Sequence, residues 1–531
     1  MDIKQLSLRE KIGQTVVLLS NPVKETKLGG SLEGFLEKYP VGGFFVGAEI
    51  IDEVMTGGDK EQVKQATAAY SAASRVPLLF ASDFENGCGS MVSGLTKLPM
   101  AMALGAAGSG QLAYDYGKAT ALEARSIGVN WTFSPVADLN QNRFNPITNI
   151  RAVSDEPELT AAILEQVIQG MQDGGLAAGA KHFPGDGNDY RDQHMVTTRN
   201  PLPMEEWLSN HGYVFQRLID KGLYSIMTGH ISLPAYQKKS IKGMPLPATL
   251  SDELTQQLLK RDMGFRGVVV SDALIMGGYL KWFARGRAEI ECFKAGTDMM
   301  LWPGLEYFEL MERAVETGEV SMERLDDAVS RILEMKRKLG LFDEARKVAE
   351  PIAEQETIWV RETARRVAEA SITLLRDRNG LLPLRREEIG KALIIGISPN
   401  EEDIGELKGL TGVFAERGIE AEFRRNIWYE ELEKIEAEFD LIVYAPYMRP
   451  HRPMGPMQYS AEEASAIWSS LTVAADKSVV VSFGSPYMFT DYFEMADVYL
   501  NAYSHVPATL KAAVDALFGE IPMTGKSPVA L

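Results

Sequence analysis

Gly267-Val268-Val269-Val270-Ser271-Asp272 runs through three consecutive valines to a carboxylate. β-Branched residues without polar alternation mark a strand buried on both faces, as in a parallel sheet. Working outward, six further runs share this character: 41–47, 77–83, 129–138, 176–184, 224–230 and 297–302, with helical patterns between them. Such alternation reads as βα units building a parallel sheet. Residues 16–19, or a segment not yet identified, supply an eighth strand. Seven or eight units over roughly 300 residues suit a (β/α)8 barrel better than an open sheet.

Beyond these runs the pattern changes. Ser154-Asp155-Glu156-Pro157 reads as a helix opening, with a side-chain acceptor and an early proline, and 321–339 as a long helix closed by Gly340. Residues 341–356 mix charge, alanine and Pro351 without a periodic face, so a linker is placed there. The expected organisation is a barrel domain at 1–340, a linker at 341–356 and a second α/β domain at 357–531. In the latter a helix at 359–370 precedes strand runs at 392–397, 441–445, 478–483 and 498–502. Gly396-Ile397-Ser398-Pro399-Asn400 and Gly484-Ser485-Pro486 end two of them, where a doubly wound sheet places its crevice. Without a Gly-x-Gly-x-x-Gly fingerprint they read as ordinary turns more readily than as a nucleotide site.

The 531 residues are 45% hydrophobic and 24% charged, the composition of a folded chain with a large core. Fifty-five basic against 73 acidic residues give a net charge of −18, which repels phosphate backbones and anionic head groups. Nucleic acid and membrane are therefore not expected partners. Cys88 and Cys292 are too few for a disulfide framework or a four-ligand zinc set, although one bridge stays open. The start, Met1-Asp2-Ile3-Lys4-Gln5-Leu6, lacks the basic and apolar regions of a signal peptide, so the chain reads as cytoplasmic. The oligomeric state is not legible.

Chemistry concentrates at the strand ends. Asp83, Asp138 and Asp272 close the second, third and sixth of the seven runs, and His182, His194 and His230 lie at or just after the fourth and fifth. A barrel brings all such ends to one rim. The densest stretch is Lys181-His182-Phe183-Pro184-Gly185-Asp186-Gly187-Asn188-Asp189-Tyr190-Arg191-Asp192-Gln193-His194. An Asp-x-His pair sets a carboxylate against one imidazole nitrogen and raises the basicity of the other, which makes a proton shuttle. Read alone it is equally a solvated loop. Lys181-His182 is suited to gripping neighbouring hydroxyls, and Asp272 reads as a nucleophile, a metal ligand or a hydroxyl acceptor.

These segments resemble glycoside hydrolase family 3, in its β-N-acetylglucosaminidase branch. The Lys181–His194 stretch resembles that branch's Lys-His-Phe-Pro-Gly-x-Gly loop ending in Asp-x-His, and Ser271-Asp272 its Ser-Asp. Asp83-Phe84-Glu85-Asn86-Gly87, Phe133-Ser134-Pro135-Val136-Ala137-Asp138, residues 145–151 and Met227-Thr228-Gly229-His230 resemble further family motifs. The resemblance implies an α/β fold, a (β/α)8 TIM-type barrel followed by an αβα sandwich. It also implies a retaining exo-β-N-acetylglucosaminidase without a cofactor or metal, acting on an oligosaccharide or glycoside. In it Asp272 is the nucleophile, His194 the acid/base and Asp192 its orienter, while Asp83, Arg151, Lys181, His182 and His230 hold the sugar.

The chain departs from the pattern where Asp186 replaces the usual histidine, Asn86 a glycine, and Cys88-Gly89-Ser90-Met91 lacks an arginine. Sugar and leaving-group preference are open to that extent. A phosphorylase or β-glucosidase of the same family, a metal-dependent barrel hydrolase using Asp83, His182, His230 and Asp272, and a non-catalytic sugar-binding protein stand as alternatives. Outside the resemblance, Arg151 reads as an ion pair before Asp155-Glu156, and His230 as a core histidine.

Overall fold

The structure is a computed structural model, described here over residues 2–47, 58–343, 348–425, 427–450, 459–473 and 476–531. Eight parallel strands form the first sheet: β1 (Val16–Leu19), β2 (Gly43–Phe45), β3 (Leu79–Ser82), β4 (Trp131–Thr132), β5 (Ala177–Phe183), β6 (Ser225–Thr228), β7 (Val268–Ser271) and β8 (Met300–Leu301). They follow one another in order, with β8 beside β1. β7 meets β8 through the parallel bridge Val270–Met299, and Ser271 N donates to Met299 O at 3.0 Å, which brings the sheet round into a barrel. Every expected run contains a strand, and 16–19 supplies the eighth. The 129–138 run is strand only at Trp131–Thr132. Pro135 then has no N–H for a ladder, and the chain continues beside β5 through Ala137 N to Lys181 O at 2.7 Å.

Alternate residues fill the barrel: Val17, Phe45, Leu79, Trp131, Ala177, Met227, Val268 and Met299 pack inward, while their neighbours face the surrounding helices. Trp131 Nε1 donates to Ser225 Oγ at 2.7 Å, which satisfies the one polar atom of the largest inward ring. On the helix Met322–Lys338, Lys336 is wholly buried and donates to Gln14 Oε1 at 2.6 Å.

The second sheet has six strands, β9 (Thr373–Asp377), β10 (Lys391–Ile397), β11 (Glu420–Arg424), β12 (Leu441–Pro446), β13 (Ser478–Ser482) and β14 (Val498–Asn501). Their order is β9-β14-β13-β12-β10-β11, parallel except for β9. Leu393, Ile395 and Ile397 face one helical layer while Ala392 and Ile394 face the other, the arrangement of an αβα sandwich. The strand runs at 392–397, 441–445, 478–483 and 498–502 correspond to central strands. Both edge strands escape the sequence reading, because Glu420-Ala421-Glu422-Phe423-Arg424 and Thr373-Leu374-Leu375-Arg376-Asp377 carry the charges typical of edges.

Local details also correct the reading. The helix after Ser154 is Pro157–Asp173, capped at Glu156 without a side-chain bond. Ser154 Oγ instead accepts from Glu156 N at 2.9 Å and donates to the Pro528 carbonyl. The helix expected at 359–370 spans Glu354–Ser371, because Glu356 reaches back to Ala353 N at 2.8 Å and starts it earlier. It begins inside the segment read as a linker, of which 344–347 lie outside the described residues. Cys88 and Cys292 are buried and unbridged. The Gly484-Ser485-Pro486 turn docks on the barrel: Asn149 Nδ2 donates to Ser485 Oγ at 3.2 Å and Asn140 Nδ2 to Tyr487 Oη at 3.0 Å. Among the described residues no helix is long and apolar enough to cross a membrane.

Candidate active site

The C-terminal ends of the barrel strands open into a cleft of about 1750 Å³. Asp83 after β3, Lys181 and His182 on β5, Asp272 after β7 and His194 on the loop beyond β5 line it together. Met227, Met276, Ile275 and Trp302 form its apolar wall, and Arg361 on the helix Glu354–Ser371 with Asn400 after β10 and Arg449 after β12 border it from the other side. Sugar rings present both hydroxyl edges and C–H faces, and this lining offers partners to both.

Lys181 Nζ lies 2.7 Å from Asp83 Oδ1 and 2.7 Å from Glu85 Oε1. Arg151 grips the same Glu85 with a fork, Nε to Oε2 and Nη2 to Oε1, both at 2.7 Å. Burial alone raises the Glu85 pKa, but the Arg151 and Lys181 charges prevail and hold it well below the usual carboxylate range. Burial likewise works against the Lys181 charge, and Asp83 and Glu85 overcome it, raising its pKa. The result is a buried network of alternating charge that fixes the ammonium beneath the cleft. Glu85 is the member that the sequence reading left without a role.

His182 Nδ1 donates to Asp138 Oδ2 at 2.7 Å, and His182 N to Oδ1 at 3.0 Å. With Nδ1 committed, Nε2 is the nitrogen that remains for the cleft. His194 is held in the same manner: Asp192 Oδ1 accepts from its backbone N at 2.8 Å and from Nδ1 at 2.6 Å. With Nδ1 committed to Asp192, any proton exchanged by this ring passes through Nε2. The loop is tied to the turn after β7, since Gly277 N donates to His194 O at 2.7 Å and Thr197 Oγ1 to Gly278 O at 2.6 Å.

Asp272 N donates to Thr228 O at 3.0 Å, and its Oδ1 accepts from Ala273 N at 2.8 Å. Burial pulls its pKa up, yet His182, His230 and His194 pull harder and leave it below the ordinary value. An ionised carboxylate facing an open cleft is equipped to attack an electrophilic carbon.

Arg151, His230 and Asp192 sit behind the cleft wall. His230 is fully buried; Nε2 donates to Ala273 O at 3.1 Å and Nδ1 accepts from Thr249 Oγ1 at 3.0 Å. Nε2 thus serves the backbone next to Asp272, while Nδ1 is tied to the Thr249 side chain. Together with the Asp83–Lys181 pair, this leaves the four residues of the metal alternative without a common open coordination site. Trp302, with φ at +62° in a region bulky side chains avoid, contributes a cleft surface that the sequence reading did not single out.

A (β/α)8 rim carrying a strand-end carboxylate and a carboxylate-steered imidazole offers the two kinds of group that glycoside cleavage calls for, one to attack and one to carry a proton. Comparison with known proteins agrees. The model described as glycosyl hydrolase family 3 N terminal domain matches residues 7–335. A β-N-acetylglucosaminidase/β-glucosidase of Cellulomonas fimi is 32% identical over 98% of this chain and 93% of its own. Among solved structures, the β-glucoside phosphorylase BglX bound to 2FGlc superposes with a TM-score of 0.86 at 27% identity, over 99% of this chain and 95% of that one. A family 3 β-N-acetylglucosaminidase from Paenibacillus sp. str. FPU-7 gives 0.83 at 26% identity, over 99% of both chains. The chain belongs to glycosyl hydrolase family 3 and is a glycoside hydrolase.

Proposed function

We propose that the protein is a retaining exo-β-N-acetylglucosaminidase. Asp272 attacks the anomeric carbon of a terminal β-linked N-acetylhexosamine while His194 Nε2–H protonates the departing oxygen, giving a glycosyl-aspartate and a free aglycone. Water then attacks the same carbon, Nε2 takes its proton, and the ester bond to Asp272 breaks. One imidazole performs both transfers, giving up its proton in the first step and recovering one from water in the second.

The observation that carries this reading is the Asp192–His194 dyad, held on a loop bonded to the turn that follows Asp272. Asp83, Lys181 and His182 grip the sugar. Arg151 and His230, expected as direct contacts, act from behind through Glu85 and Ala273. The names of the Cellulomonas and Paenibacillus relatives support the choice of N-acetylglucosamine.

A second reading keeps the glycosyl-aspartate and replaces water with phosphate. The likeness to BglX favours it, and so does a histidine acid/base, which repels an incoming anion less than a carboxylate would. One experiment separates the readings: aryl β-glycosides of N-acetylglucosamine, glucose and xylose are turned over with and without inorganic phosphate, and the products identified. Free N-acetylglucosamine in both conditions supports the hydrolase; a sugar 1-phosphate overturns it in favour of the phosphorylase. Preference for the glucoside overturns the sugar assignment alone.

A further inference from the structure

Asp186 takes no part in the chemistry above, yet it is one of the most enclosed carboxyls in the barrel, 2% exposed. Its backbone N donates to Asp138 Oδ1 at 2.7 Å, the same oxygen that accepts from His182 N. Asp138 is thus fully supplied with donors, two on Oδ1 and the His182 ring on Oδ2. Asp186 is not. Its Oδ1 accepts from Gly187 N and from Asn145 Nδ2, each at 2.7 Å, while its buried Oδ2 has no partner among the described residues. An ionised Oδ2 there is a buried charge without a donor, which costs more than the unpaired hydroxyl of the neutral acid.

We propose that Asp186 is a positioning residue that works as an uncharged acid: its neutral carboxyl keeps Asp138 seated under His182, and its ionisation disturbs that pair and loosens the grip on the sugar. The inference rests on the proposed sugar-cleaving function of the cleft. Ionised, Asp186 would set a second negative charge beside Asp138, with both hanging from neighbouring N–H groups of one loop. Among the described residues Asp138 is the only hydrogen-bond partner of the His182 ring, so a shift in it is passed to a cleft-lining side chain.

The other charges nearby do not cancel this effect. His182 faces Asp186 from β5. His211, on the helix His211–Asp220, packs its ring against Gly185, and burial pushes its pKa down to about 4, so it stays neutral. Arg151 lies beyond Asp138 and is spent on Glu85, while Asp189 is paired with Arg191. Burial first, and then the Asp138 charge, push the Asp186 carboxyl up to about 7, which puts the ionisation within the working range of an imidazole-driven enzyme.

The test is calorimetric binding of phenyl 1-thio-β-N-acetylglucosaminide and the matching thioglucoside, which resist cleavage. Wild type and Asp186→Asn are compared at pH 6 and pH 8, each in two buffers of different ionisation enthalpy. One linked proton near pH 7 weakens wild-type binding about tenfold at pH 8, with uptake of nearly one proton there and almost none at pH 6. Asp186→Asn, permanently neutral, binds as wild type does at pH 6, keeps that affinity at pH 8 and takes up no proton. Wild-type binding at pH 8 without proton uptake overturns the inference, as does uptake that persists in Asp186→Asn. Should the variant not fold, the wild-type proton count decides. If neither thioglycoside binds at pH 6, the function proposed for the cleft fails and this inference with it; pH-independent binding defeats the inference alone.

Discussion

In the proposed mechanism Asp272 and His194 divide the work by what each can do without the other. Asp272→Ala leaves no nucleophile, so turnover of a nitrophenyl N-acetylglucosaminide should fall on the order of 10⁴-fold or more. His194→Ala should cost on the order of 10²- to 10⁴-fold with an alkyl aglycone, and far less with nitrophenol, which departs without protonation. Values of kcat/KM on both substrates, which report the first step, check this, and wild-type values in the two variants would remove both residues from the mechanism. Glu85 makes a different kind of claim. Glu85→Gln strips the negative centre from between Lys181 and Arg151, and breaking a buried pair in that way costs about 3–5 kcal/mol. Because the folded-state pKa of Glu85 is depressed, its stabilisation is present above the ordinary value of 4.5 and is lost as pH falls through the folded value. Denaturant melts should therefore show the variant well below wild type at pH 7, with the gap closing in acid. An equal gap at all pH values contradicts the charge network.

Among the elements, the 184–197 loop matters most, because it carries His194 and rests on the turn after β7. A Cβ at Gly277 would lie 2.5 Å from Met195 O and 3.0 Å from His194 O. Gly277→Ala should push the loop outward and reproduce the leaving-group dependence of His194→Ala, while the first step with a nitrophenyl substrate changes little. A uniform loss on both substrates would place the fault elsewhere. The elements themselves were largely legible. Strand β7 announces itself because three valines in succession suit a strand buried on both faces, and the same logic finds seven barrel strands and the central strands of the sandwich, with 16–19 left as one option for the eighth. It fails at β9 and β11, whose charged side chains belong to solvent. The site was legible where chemistry is local in sequence: Asp192 and His194 are two residues apart, and one chain turn sets their contact. It was not legible where partners come from different strands. Nothing in the sequence tells that Glu85 joins Lys181 to Arg151, or that His230 spends both nitrogens on Thr249 and Ala273, because those contacts exist only once the barrel closes.

For the whole molecule, barrel and sandwich share the cleft and are joined by direct bonds. Asn149 meets Ser485, Arg143 lies 2.8 Å from Asp491, and Lys97 lies 2.6 Å from Glu406. Stability should carry the mark of Lys336, whose pKa burial alone pushes from 10.5 down to about 7. The folded state then binds fewer protons than the unfolded chain between these values, so stability rises with pH across that window. Lys336→Met should be the more stable protein at pH 7, and its advantage should shrink by pH 9.5 in paired denaturant titrations; an advantage that does not shrink would mean the lysine stays charged in the fold. The central claim is that a side chain after β7 and an imidazole after β5 meet across one glycosidic bond. Incubation with a fluorinated N-acetylglucosaminide that forms the covalent adduct but releases it slowly, followed by peptide mass spectrometry, tests it most directly. The account predicts the sugar mass on Asp272; a label on any other residue, or steady turnover with no adduct at all, contradicts it.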